Sequence, residues 1–248
     1  YIEAHPEWAP KTVSAISAML ADLEFAFGPD RDVTTIDHHA LLDFRSKLSK
    51  LPPNRSKNPV YADKTIGQLL KLKVEKTYSA TTIANRMGLL TSYFRFRHRH
   101  EYIPSNPAHD LAPKIKRGQV TAREAFSIED VQAIKSELLA TAKPDKKWAT
   151  LLCMYSGARL GEVTGLAVHD IQTVEGIPCM LIRDNDSRQL KTDSSVRTIP
   201  LHPEILKAGF MDFVATQSNN RKLKGMLFLS TADNTVSKWF NRHVQKLF

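Results

Sequence analysis

The chain has 248 residues, 42% hydrophobic and 25% charged, enough to bury one large core or two ordinary ones. No apolar run approaches the roughly 18 residues of a membrane span, and two cysteines far apart, Cys153 and Cys179, make neither a disulfide framework nor a zinc pattern. The net charge of +9 and a pI near 9.5 point toward a polyanionic partner, most commonly nucleic acid, with a solvated basic surface as the bland alternative.

Tyr1-Ile2-Glu3-Ala4-His5-Pro6 has no signal-peptide pattern and no initiator Met, so an excerpt of a longer, cytoplasmic chain is expected. Val13, Ile16, Met19 or Leu20, and Leu23 recur at helical spacing. A second helix is expected to start near Thr35-Ile36-Asp37 and to stop before Leu51-Pro52-Pro53-Asn54. Thr65 to Val74 reads as a short helix. Ser79 opens a longer one, with Ile83, Met87, Leu90 and Phe94 on its apolar stripe, ending near His100. Tyr102-Ile103-Pro104-Ser105-Asn106-Pro107 breaks it.

Charge is uneven along the chain. Residues 1–117 hold 18 Lys/Arg against 12 Asp/Glu, and residues 118–248 hold 17 against 14. Arg86, Arg95, Arg97, Arg99, Lys114, Lys116 and Arg117 crowd residues 86–117, facing only Glu101 and Asp110. A phosphate backbone attracts such a concentration. The first turn of the Ser79 helix, with Thr81, Thr82, Asn85 and Arg86, either enters a major groove or is an ordinary exposed turn. His98 and His100 allow a metal reading, but no cysteine or carboxylate has ligand spacing to them, and a basic helix end facing DNA is preferred.

Lys114 to Ala122 is basic and aperiodic and reads as a linker. Beyond it, Ser127 with Asp130 gives an imperfect capping box. Trp148 to Tyr155 is an apolar helix that Gly157 should close, Gly being suited to the left-handed position. A short helix then turns Leu160, Val163 and Leu166 inward. Strands are expected at 177–182, 188–191 and 196–199, with Thr192-Asp193-Ser194-Ser195 as a turn. Glu204 to Val214 returns to helix, and Asn234-Thr235 opens the last one. The fold class is therefore mainly α with a small antiparallel sheet.

The stretch that carries chemistry is Tyr155-Ser156-Gly157-Ala158-Arg159-Leu160-Gly161-Glu162-Val163-Thr164-Gly165-Leu166. Leu190-Lys191-Thr192 and Val196-Arg197-Thr198-Ile199-Pro200-Leu201 follow it, then Leu227-Phe228-Leu229-Ser230. Gly157-x-x-x-Gly161 is not a nucleotide loop, because it follows a helix and no Gly-Lys-Ser/Thr succeeds it. An isolated Arg-x-x-Glu is usually a minor surface ion pair. Here Arg159 follows a helix-breaking glycine and can project from a turn, while Glu162 shares its helical face and can orient the guanidinium. Phosphoryl transfer requires cationic donors around nonbridging oxygens, and the planar fork of Arg suits two at once.

These elements resemble, in residues and in order, the tyrosine recombinase (phage integrase) family. Ser79-Ala80-Thr81-Thr82 and Ser105-Asn106-Pro107-Ala108 are similar to its core-binding domain. The resemblance implies a helical, SAM-like core-binding domain over 1–113, a linker over 114–122 and part of the catalytic domain over 123–248. It implies site-specific recombination through a 3′-phosphotyrosine without metal or other cofactor or small-molecule substrate, with Arg159 and Lys191 catalytic and Lys191 as general acid. It also implies double-stranded DNA held in a two-domain clamp, four protomers acting together, and a cytoplasmic, nucleoid-associated location away from membranes. The family's second box (His-x-x-Arg) and nucleophilic tyrosine have no match after Phe228. The expectation is that they lie outside this chain, which alone binds DNA without cleaving it. The alternative is a non-catalytic DNA-binding relative or regulator.

Overall fold

Four polar side chains start the helices that the sequence marks. Asp37 Oδ1 accepts from Ala40 N (2.8 Å), Thr65 and Gln68 bond reciprocally, Ser79 Oγ accepts from Thr82 N (3.2 Å), and Ser127 and Asp130 form a complete capping box (2.9 and 3.1 Å). Each satisfies backbone donors that a helix start leaves unpaired. The structure is a computed structural model that describes residues 1–114, 124–185, 195–229 and 232–243. The chain divides into two units, Tyr1–Ala122 and Arg123–Phe248.

The first unit is helical among its described residues: α1 (Pro10–Phe27), α2 (His38–Leu48), α3 (Ile66–Leu70) and α4 (Ala80–Arg99). Ile83, Met87, Leu90 and Phe94 of α4 are buried against Met19 and Leu23 of α1 and Leu41, Phe44 and Leu48 of α2. α2 begins at His38 with Asp37 as its N-cap, where the sequence marks it, after Val33–Thr35 winds into a 3-10 turn held by Asp32. One departure from expectation, the early end of α3, has a local cause. α3 ends at Leu70, where Leu72 is already exposed and another turn would bury nothing. The stretch after α4 is ordered against it: Asn106 reaches Thr91 O (3.2 Å), Thr91 Oγ1 reaches Ala108 O (2.7 Å), and Arg45 holds Leu111 O (2.8 Å).

One buried carboxylate ties this unit together. Asp22 on α1 is 3% exposed and is flanked by the guanidinium groups of Arg55 and Arg86, with Arg86 also donating to Ala18 O (2.8 Å).

The second unit contains α5 (Ile128–Ala140), α6 (Pro144–Ser156), α7 (Leu160–Thr164), β1 (Ile171–Val174), β2 (Ile177–Ile182), β3 (Arg197–Pro200), α8 (Pro203–Lys207), α9 (Phe210–Ser218) and α10 (Ala232–His243). The sheet is antiparallel in the order β1-β2-β3, with Ile171 opposite Met180 and Met180 opposite Ile199. Its buried face and the helices share a core of Trp148, Leu152, Val163, Leu166, Met180, Ile182, Phe210 and Phe228.

Here the expectations need correcting in three places. β1 was not foreseen; three of its four residues are exposed, so it carries no alternation. The expected helix from 204 to 214 is two helices, α8 and α9, broken where Gly209 adopts a left-handed φ of +89°. The last helix begins at Ala232, ahead of Asn234. The expected strand at 188–191 lies outside the described residues.

Asp170, wholly buried, joins the turn after α7 to the exit of β2. Its carboxylate accepts from Ala167 N (3.0 Å), Arg183 Nε (2.9 Å) and Asn185 Nδ2 (3.1 Å).

Candidate active site and nucleic-acid face

Gly157 closes α6 with a φ of +66°, and its N–H bonds Cys153 O at 3.0 Å. A side chain in that conformation is strained by roughly 1–2 kcal/mol. Gly157→Ala is therefore expected to lower stability by about 1 kcal/mol although the space beside its Cα is open. Urea denaturation checks this, and a stability equal to wild type would contradict it.

The sharp turn makes Arg159 the N-cap of α7, in extended backbone, so its side chain leaves the helix start and is 69% exposed. Glu162, one turn on, is 7% exposed and, among the described residues, accepts three hydrogen bonds. Oε1 takes Arg159 Nη1 (2.7 Å), while Oε2 takes Arg159 N (3.0 Å) and Arg197 Nη2 (2.7 Å). Burial alone would raise the Glu162 carboxyl. The bonds from Arg197 and from the Arg159 backbone and guanidinium outweigh it and bring the pKa down to about 2. Two guanidinium groups on one ionised carboxylate leave a net single positive charge. Among the described residues Arg159 has no partner for Nε or Nη2, so that charge faces solvent with a free edge of its fork. Such an edge suits a phosphate oxygen.

Other candidates near the turn take structural places. The Cys153 thiol is pushed up to about 11 by burial and then by the Glu162 charge, which keeps it protonated and a poor nucleophile. Tyr155 is half-buried on α6, its ring 4.5 Å from that of His202. Lys191 lies outside the described residues, as do Lys116 and Arg117. The sequence presents Arg197 only as part of a strand motif. Its partnership with Glu162 spans 35 positions and leaves no local spacing to read.

The helical unit sorts its candidates by face. Thr81, Asn85, Gly88, Ser92, Arg95 and Arg99 recur at intervals of three and four and form one exposed stripe on α4, a helix without an acidic residue. Lys114 is also exposed. Thr82 is half-buried, with its hydroxyl 2.9 Å from Ser79 Oγ in the cap. Arg97 lies over the Tyr102 ring at 4.5 Å, and Arg86 turns inward to Asp22. The stripe therefore brings together Thr81, Asn85, Arg95 and Arg99, and not Thr82, Arg86 or Arg97. Among the described residues no cluster of three or more metal-ligating side chains occurs, and no helix is long and apolar enough to cross a membrane.

No family model matches the sequence. A curated relative, tyrosine recombinase XerC of Herpetosiphon aurantiacus, is 31% identical over 144 residues, covering 56% of this chain and 45% of that protein. The chain thus matches less than half the length of that relative. Among solved structures, the Tn1549 transposon integrase in complex with transposon right end DNA superposes with a TM-score of 0.59 at 17% identity, covering 86% of this chain and 61% of that one. A lambda integrase dimer bound to a COC' core site gives a TM-score of 0.59 at 16% identity, covering 98% and 74%. The structural likeness carries the fold, mainly helical with a small antiparallel sheet, and the curated relative carries the sequence. By both measures this chain resembles the tyrosine recombinases and integrases.

Proposed function

We propose that this chain is the DNA-engaging part of a site-specific DNA recombinase that cuts and rejoins strands through a 3′-phosphotyrosine. The observation that carries the reading is the exposed Arg159 guanidinium, anchored on one side by buried Glu162 and open on the other. Its free edge takes a nonbridging oxygen of the scissile phosphate and stabilises charge as the phosphorane-like state forms. Glu162 stays ionised and holds the fork in place. Lys191 serves as general acid, giving its proton to the departing 5′ oxygen. The α4 stripe faces the duplex, with Thr81 and Asn85 toward base edges and Arg95 and Arg99, with Lys114, Lys116 and Arg117, toward the backbone. The attacking tyrosine belongs to residues beyond these 248, and four copies act on two duplexes. The similar proteins support this reading, two of them having been solved on transposon or core-site DNA.

The test is duplex affinity as a function of salt. Each phosphate contact contributes a slope of about −0.9 in log K against log salt. The double variant Arg95→Ala, Arg99→Ala is expected to make the slope shallower by about 2, and Arg159→Ala by about 1. The 248-residue chain forms no covalent adduct with DNA. Salt-independent binding, or none, would sink the proposal, and a covalent adduct would overturn the placement of the tyrosine.

A further inference from the structure

We infer that Arg197 is a positioning residue for Arg159, acting through Glu162 and not through the phosphate. The inference rests on the reading of Arg159 as the phosphate-facing group. Arg197 is half as exposed as Arg159, 35% against 69%, and both its terminal nitrogens are engaged, Nη1 with Ser195 O (2.9 Å) and Nη2 with Glu162 Oε2 (2.7 Å). It commits both terminal nitrogens to protein acceptors, where Arg159 commits one. What it controls is the Glu162 carboxylate.

A glutamate carboxylate rotates easily about its last bond, which has a broad two-fold profile. Arg197 and the Arg159 backbone N–H both bind Oε2, which fixes that rotation and leaves Oε1 aimed at Arg159 Nη1. Without Arg197, Glu162 would lose the less exposed of its two described guanidinium partners, and an arginine as exposed as Arg159 shares its bonds with water. The second guanidinium, less exposed and tied to the backbone at Ser195, is the stronger anchor. It also joins β3 to the turn that carries Arg159, so the two chain segments hold one register at the site. A sequence reading sees Arg197 only as a basic residue on a strand.

The test uses the whole 248-residue chain with labelled side chains. Nuclear magnetic resonance follows the Arg159 guanidinium nitrogens and the Glu162 carboxyl carbon, with and without a short DNA duplex. In the wild type, Arg159 should show separate, slowly exchanging nitrogen signals. Arg197→Met is expected to merge those signals and to move the Glu162 titration from about 2 toward the ordinary 4.5. Arg197→Lys, which retains charge but can bond only one of the two partners well, should keep most of the titration shift and lose the separate signals. This variant carries the test if the methionine variant does not fold. Arg159 signals that stay separate in the folded methionine variant, or in the lysine variant if only that folds, overturn the inference. If they depend on Arg197 but do not move when duplex is added, positioning stands and the recombinase reading fails.

Discussion

Asp22→Ala is expected to destabilise the helical unit by about 3–5 kcal/mol, the usual result of removing one partner from a buried ionic cluster. The reason is what remains. Arg55 and Arg86 have side chains only 12% and 18% exposed and meet at this carboxylate, so its loss leaves two largely desolvated like charges side by side. Arg55 is partly supported by the Phe25 ring at 4.3 Å and Arg86 by Ala18 O, which does not neutralise either. Hydrogen exchange under increasing urea localises the effect. Protection should fall in α1 and α4 and persist in α6, which belongs to the other core. A loss below about 1 kcal/mol would show that the pair is solvated and that Asp22 is replaceable.

Glu162→Gln should be of similar size, about 3 kcal/mol, and it carries a pH signature. The amide has one acceptor oxygen for the three donors that, among the described residues, the carboxylate now satisfies. For the wild type the sign follows from the depressed carboxyl. The group contributes stability above its unfolded value near 4.5, and that contribution is lost as pH falls through the interval down to about 2. The variant has no such group, so its stability curve should lack this drop, and the difference between the two proteins should shrink as pH approaches 3. Because the variant gains positive charge, its nonspecific duplex affinity should not fall. Matched urea curves at pH 7 and pH 3 read the first effect and duplex titration reads the second. A constant difference between proteins at both pH values would show that Glu162 is not the ionised centre of the site.

Much of this fold was legible because its signals are local. Ser79, Thr65 and Ser127 mark helix starts through their own side chains. Gly157 announces a helix end by being able to turn left-handed, and Arg159 and Glu162 pair across one turn. What escaped is non-local or faint. Arg86 carries the same charge as Arg95, and only its meeting with Asp22, 64 positions earlier, turns it inward. Arg197 meets Glu162 across 35 positions, from a strand of the sheet. Gly209 was visible inside an apolar periodic stretch, but periodicity alone does not say whether a glycine is crossed or obeyed, and here its φ of +89° divides the helix.

The outer stripe of α4 also has a length. From Thr81 to Arg99 the helix rises about 27 Å at 1.5 Å per residue, a distance on the order of eight steps of a duplex at 3.4 Å each. Its two ends differ in kind, small hydroxyl and amide groups at the start and guanidinium groups at the finish. On the proposed function, a helix of that span would follow a curving groove over only part of its length. Its amide-bearing end would then sit deep while its charged end would rise across the sugar-phosphate ridge. The helix would thus serve as a ruler, setting the offset between the bases read and the strand gripped.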